Sequence, residues 1–142
     1  MKIYLDNYCF NRPFDDQTNL KIQLETQAKL EIQKQIMLKK YKLVWSFILE
    51  YENKENPYKI RRETISRWRD IASENIMANE EIIKYAENLQ TMSVKSKDAL
   101  HIACAVFSHC NYFLTTDRKL LNLELKEIKI YNPIDFIIEM EG

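Results

Sequence analysis

The chain has 142 residues and a single glycine, Gly142. That scarcity excludes a Walker loop, a GxGxxG turn and a GxSxG elbow, since each needs the backbone freedom of glycine. A site that handles phosphate here must work with side chains and metal. Cysteine is also scarce. Cys9, Cys104 and Cys110 are odd in number and lack CxxC spacing. They read as reduced thiols in a cytoplasmic protein, with Cys104 packed in the core, and nothing resembles a zinc site. Excess charge is absent too, because Lys+Arg and Asp+Glu balance at 21 each. Bulk charge therefore does not point to a polyanion, and any such binding must come from local patches or from metal. No apolar run approaches the length of a membrane span. The N-terminus runs directly into a strand-like segment, so neither a signal peptide nor an anchor is expected.

The length suits one domain, residues 1–142, built around one core. Lys2 to Leu5 reads as a buried strand. Asn7 to Gln17 carries Asn11, Pro13, Asp15 and Asp16 and reads as a loop. From Thr18 to Lys39, Leu20, Leu24, Ala28, Ile32 and Ile36 recur at four-residue spacing, which predicts a long amphipathic helix with these residues on its apolar face. Leu43 to Phe47 is a second strand, followed by a short helix from Ile48 to about Asn53 that stops near Asn56-Pro57. Tyr58 to Ala72 is a helix with Ile65, Trp68 and either Ile71 or Ala72 inward; its charged side holds Lys59, Arg61, Arg62, Arg67 and Arg69. A short strand near Asn75 to Ala78, a helix from Glu80 to Leu89 and a small-residue helix from Asp98 to Ser108 follow. Tyr112 to Thr116 and Glu127 to Tyr131 complete the strands, with a short helix from Arg118 between them and a terminal helix or turn after Asn132-Pro133. This alternation predicts a three-layer α/β/α domain around a parallel sheet.

Four carboxylates take positions that such a fold makes informative. Asp6 ends the first apolar run and Asp117 follows the fourth. Asp98 opens the small-residue helix, and Glu52 lies about a turn beyond the second strand. In an open α/β sheet, function gathers beyond the carboxyl ends of the strands. Clustered carboxylates repel one another, and a divalent cation, Mg²⁺ or Mn²⁺, removes that conflict. Singly, Asp6 and Asp117 read as turn formers, Asp98 as an N-cap or first-turn residue facing a helix dipole and Glu52 as a solvated helix residue. Glu50 competes with Glu52, because residues two apart cannot share a helix face.

The segments Tyr4-Leu5-Asp6-Asn7, Ser46-Phe47-Ile48-Leu49-Glu50-Tyr51-Glu52, Lys97-Asp98-Ala99-Leu100-His101-Ile102-Ala103 and Leu114-Thr115-Thr116-Asp117 resemble a PIN domain. The last two are the most specific: an Asp heading an Ala-rich helix, then a strand ending in Thr-x-Asp. The resemblance covers nearly the whole chain. It implies a sheet ordered 3-2-1-4-5 with the acids in one pocket. It implies endonucleolytic hydrolysis of RNA with Mg²⁺ or Mn²⁺, Asp6, Asp98 and Asp117 serving as metal ligands. Family spacing from Ser46 selects Glu52 as the fourth acid. The resemblance also makes an antitoxin protein and a second copy of the chain candidate partners, since many family members are toxins of toxin–antitoxin pairs.

Around the acids, Thr115, Lys95, Lys97 and Arg118 are candidates for substrate contact, with Lys119 beside them. Each also has an ordinary role, as a strand Thr or as surface charge. His101 reads as a packed, hydrogen-bonded residue rather than a ligand. The basic helix containing Trp68 fits either a phosphate track or a solvated face. A haloacid-dehalogenase-type phosphatase would need a second Asp two residues after Asp6, where this chain has Tyr8. The rival from another class is a PIN-like scaffold or binding module that does not cleave. Loss of an acid would favour that alternative, and all four are present.

Overall fold

The computed structural model describes residues 1–142. Strand β1 (Lys2–Leu5) leads into a short helix α1 (Asn7–Asn11), a 3-10 turn (Arg12–Phe14) and the long helix α2 (Leu20–Met37). Then come β2 (Lys42–Ser46), α3 (Phe47–Lys54), α4 (Lys59–Ile71), β3 (Glu74–Ile76), α5 (Glu80–Gln90) and α6 (Ser96–Phe107). The chain ends with β4 (Tyr112–Leu114), α7 (Arg118–Leu121), β5 (Lys129–Tyr131) and α8 (Pro133–Glu141). The five strands form one sheet in the order β3-β2-β1-β4-β5, and every pairing is parallel.

Helices on both faces explain why β1, β2 and β4 are continuous apolar runs without alternation. Ile3, Tyr4, Leu5, Val44, Trp45, Phe113 and Leu114 have no exposed surface and lie within one core of 30 buried residues. From β1 the chain builds outward to β2 and β3, then returns to add β4 and β5 on the other side of β1. The direction of winding thus reverses at β1, where Ile3 pairs with Leu43 on one side and with Tyr112 on the other. A crevice opens beyond the carboxyl ends of the strands at such a reversal.

Three sequence expectations change. The segment after Asp6 is helical in Asn7–Asn11, because Asp6 caps it: the Cys9 N–H donates to Asp6 Oδ1 at 3.0 Å. Only the second half of the four-residue stripe on α2 is buried. Leu20 and Leu24 are 67% and 44% exposed, while Ala28, Ile32 and Ile36 are buried. At about 100° per residue, a four-residue step drifts about 40°, so the stripe winds off the core toward the N-terminus. Glu25, Thr26 and Lys29 fill the inner face there instead. Helix α6 begins at Ser96, two residues before the expected start, and Asp98 takes the first-turn place of the two open to it.

The fully buried Glu25 is held by Arg12. Nε donates to Oε1 at 2.9 Å and Nη2 lies 2.8 Å from the same carboxylate. Asn132, which caps α8, donates to the other oxygen. Arg12 also pairs with Asp15, and its carbonyl accepts from Gln17 and Thr26. This network assigns a role to the segment after β1: it is fastened to α2 and to the start of α8. Arg12→Met should leave the Glu25 charge buried without its partner and cost about 3–5 kcal/mol. Urea unfolding measures this, and a loss below about 1 kcal/mol would contradict it.

Without glycine, three helices end through left-handed residues that carry side chains. Lys39, Ser93 and His109 have φ of 62°, 67° and 60°. In each case the paired bonds of a Schellman motif form, as in Lys40 N–H to Gln35 O and Lys39 N–H to Ile36 O, both 2.9 Å. A left-handed L-residue costs roughly 1–2 kcal/mol, and glycine returns part of that as lost chain entropy. Lys39→Gly at this exposed site should therefore gain about 0.5–1 kcal/mol, raising Tm by about 2–4 °C. A lower Tm would show that Lys39 contributes something its conformation does not reveal.

Candidate active site

Asp6 follows β1 directly, and its N–H donates to the Leu114 carbonyl of β4 at 3.2 Å. Its carboxylate is 1% exposed. Oδ1 caps α1, but Oδ2 has no hydrogen-bond partner. Burial pushes this carboxyl up to about 7, opposed by the nearby Thr115 hydroxyl, by His101 and by the Cys9 N–H. Asp117 caps α7, with the Leu120 N–H donating to Oδ2 at 3.2 Å. The Asp117 N–H donates to Thr115 Oγ1 at 3.0 Å. Thr115 has no exposed surface. It therefore stands between the two aspartates as a fixing residue, not on an open wall.

Asp98 is half-buried in the first turn of α6. Burial raises its pKa; His101 opposes this, while the charges of Asp117 and Glu52 add to it. Glu52, on α3, pairs through Oε1 with Nε2 of the buried His101. Nδ1 of His101 lies 2.7 Å from the Tyr4 hydroxyl, which is 2.6 Å from Ser46 Oγ. Ser46 Oγ in turn accepts the Leu49 N–H at 3.2 Å, capping α3. One proton arrangement satisfies the whole chain: Ser46 donates to Tyr4, Tyr4 to Nδ1, and Nε2–H to Glu52. The buried Tyr4 phenol is held well above its ordinary pKa by loss of hydration, so it keeps the proton this arrangement needs. Glu50 points elsewhere. It accepts from Trp45 Nε1 at 3.1 Å and from Arg69 Nη1 at 3.1 Å. Of the two glutamates, Glu52 is the one that faces Asp98.

Two cavities meet at these acids. One of about 400 Å³ lies between the α5–α6 connection and α7, with Asp98 and Asp117 on its wall. A smaller one of about 110 Å³ is bounded by Asn7, Glu52, Asp98 and His101. Tyr8 borders both. Burial pushes its phenol up to about 12, and the charges of Asp98, Asp117, Asp6 and Glu52 all add to this. The four acids thus act on a single group at the reversal of the sheet. Tyr8 is not among the residues that the sequence singles out for this site. The available signal was an aromatic residue two positions beyond a strand-end Asp.

The basic candidates divide. Lys95 and Lys119 line the larger cavity. Lys97 turns toward α3, with Nζ 5.5 Å from the Tyr51 ring, and the exposed Arg118 is off the cavity wall. On α4, Arg61 covers Tyr58 at 4.1 Å, Arg62 donates to the Asn56 carbonyl at 2.7 Å and Arg69 holds Glu50. That helix spends most of its cations on internal contacts.

No three His, Cys, Asp or Glu side chains stand close enough to form a metal-binding group by themselves. The donor set still suits a hard cation. Mg²⁺ keeps several waters and binds through one or two carboxylates plus substrate phosphate, and Asp6 Oδ2 offers an unused buried oxygen.

The all-parallel sheet order with helices on both faces is that of an α/β fold consistent with a PIN-like one. No family model and no curated protein matches the chain. Among solved structures, it is similar to a chain in the crystal structure of VapBC2 from Rickettsia felis bound to a DNA fragment from their promoter. The TM-score is 0.58 at 12% identity, over 93% of this chain and 98% of that one. At this identity the likeness concerns the fold.

The raised Asp6 carboxyl gives stability a pH dependence in metal-free buffer. Between about pH 4 and pH 7 the folded chain keeps a proton that the unfolded chain has released. Stability therefore falls as pH rises through that window, by an amount on the order of a few kcal/mol. Asp6→Asn keeps the Oδ1 cap and removes the charge. In EDTA, urea unfolding at pH 5 and pH 8 should show a loss in the parent protein and a much smaller one in the variant. Equal losses in both would refute this account of Asp6.

Proposed function

We propose that the protein is a divalent-metal-dependent endoribonuclease that hydrolyses RNA phosphodiester bonds. The observation that carries this reading is the gathering of Asp98, Asp117 and Glu52 on the walls of two adjoining cavities at the carboxyl edge of the sheet, with Asp6 buried at the end of β1. Asp98 and Asp117 line the open cavity, and with Asp6 behind them they would hold Mg²⁺ or Mn²⁺ directly or through water. Bound there, the cation supplies Lewis acidity at the scissile phosphate.

The chain's own residues account for the other requirements. Hydrolysis forms one P–O bond to the oxygen of water and breaks one bridging P–O bond. The attacking water must lose a proton, and the leaving oxygen takes one from solvent water in the open cavity. Asp98, half-buried and open to the cavity, would accept that proton. His101, Tyr4 and Ser46 hold Glu52 toward Asp98, so the fourth acid is positioned from within the core. Thr115 ties Asp117 to the end of β4. Lys95 and Lys119 supply positive charge for a neighbouring phosphate, with Lys97 and Arg118 further along the surface.

No helix is long and apolar enough to cross a membrane, and we assign the protein to the cytoplasm, where its RNA substrate resides. The VapBC2 structure is the basis for extending the reading to a partnered toxin, with an antitoxin protein or a second copy as candidate partners. A non-cleaving scaffold is the second reading, and the absence of a preformed metal-binding group is what favours it.

The experiment is cleavage of a mixed RNA pool by purified protein with Mg²⁺ or Mn²⁺ and with EDTA. Asp98→Asn should keep the fold and lower activity by about three orders of magnitude or more. Glu52→Gln should also lose activity, whereas Glu50→Gln should retain it. Mg²⁺ should raise Tm of the parent protein more than that of Asp98→Asn. Cleavage that survives both EDTA and Asp98→Asn would refute the mechanism. An RNA pool left intact throughout, with no metal-dependent rise in Tm, would favour the scaffold.

A further inference from the structure

The cavity of about 400 Å³ beside Asp98 and Asp117 carries more than the acids. Its volume falls at the lower end of the roughly 300–1,000 Å³ range of small-ligand sites. That is room for one nucleotide and too little for a duplex. Tyr8 offers a ring on one side, 41% exposed, and Met92, Leu120 and Leu123 supply apolar surface around it. Four polar side chains also face this space: Ser93, Lys95, Lys119 and Asn122. None of the four side chains forms a hydrogen bond or ion pair within the chain; Asp98 lacks one as well, with the Lys95 charge nearby, whereas Asp117 caps α7.

We propose that this cavity is a nucleotide subsite that takes one unpaired residue of single-stranded RNA. Its base stacks on Tyr8 and is read by Asn122, and its phosphate rests on Lys95 and Lys119. The proposal rests on the nuclease reading for its place in the reaction and deepens it by naming the specificity-determining part of that site. Unpaired bases are recognised by aromatic stacking together with amide or hydroxyl bonds to the base edge. The lining combines these groups on one wall. An amide can read an edge because it both donates and accepts, which the lysines cannot. An acidic peptide fits less well, since its carboxylate side chains offer no flat ring to stack on Tyr8 and the lining contains no Arg fork.

Nucleoside 5′-monophosphates test the subsite without any bond for the nuclease to cut. NMR titration with AMP, CMP, GMP and UMP, with ribose 5-phosphate as the control lacking a base, reads both affinity and location. The four nucleotides should shift the Tyr8 ring and Asn122 amide signals and bind about tenfold more tightly than ribose 5-phosphate, as expected for one base–aromatic stack. Tyr8→Leu should lose that advantage, Tyr8→Phe should keep it, and Asn122→Ala should level the preference among the four bases. Equal binding of ribose 5-phosphate, unchanged binding by Tyr8→Leu, or shifts confined to another surface would each overturn the proposal. So would binding of an oligoglutamate peptide at Tyr8 in place of nucleotides. Nucleotide binding without RNA cleavage would support the subsite and sink the nuclease reading. Cleavage with no Tyr8-dependent nucleotide binding would do the reverse.

Discussion

The buried carboxylate of Asp6 is the constraint around which the rest of the structure is arranged. It follows the central strand, at the one place where the sheet reverses its winding. A charge taken out of water there is costly, and only one of its oxygens is bonded. The nearby groups that favour the ionised form, Thr115, His101 and the Cys9 N–H, only partly offset burial. An interior of this kind leaves one oxygen, Asp6 Oδ2, unsatisfied, with the Asp98 charge acting on the same carboxyl.

The fold meets this demand with short polar side chains at strand ends. Asp6, Ser46 and Asp117 each follow or end a strand and each caps the helix that comes next. The same feature that starts each helix therefore places a polar group at the crevice. Glu52 and His101 are held by the chain running through Tyr4 to Ser46, so one acid is oriented from inside the core while Asp98 and Asp117 meet the cavity. The division separates a rigid interior from an accessible rim.

Much of this was legible in the residues. The apolar runs marked β1, β2 and β4 because strands covered on both faces need no alternation, and the acids at their ends followed from that reading. What was hidden depended on tertiary partners. Asn, Pro and Asp after β1 look like turn formers, yet Asp6 and Arg12 convert that stretch into helix and anchor. The inner face of α2 holds Glu25 and Lys29, and no periodicity rule places charged residues inside. Tyr8 became visible only when the cavities on its two sides were seen together. The directions of Lys97 and Arg118 were also out of reach, since long side chains on a surface follow their neighbours and not their spacing.

The Arg12–Glu25–Asn132 network joins residues that are far apart in the chain, and its members depend on one another. Any single replacement strands a buried polar group, while a concerted change removes the Arg12 and Glu25 charges together and leaves only the α8 cap, the Ile134 N–H, to satisfy. The three positions should therefore behave as one inherited character. A lineage crosses from one solution to another only by changing them almost together, or by first acquiring enough spare stability elsewhere to survive the intermediate.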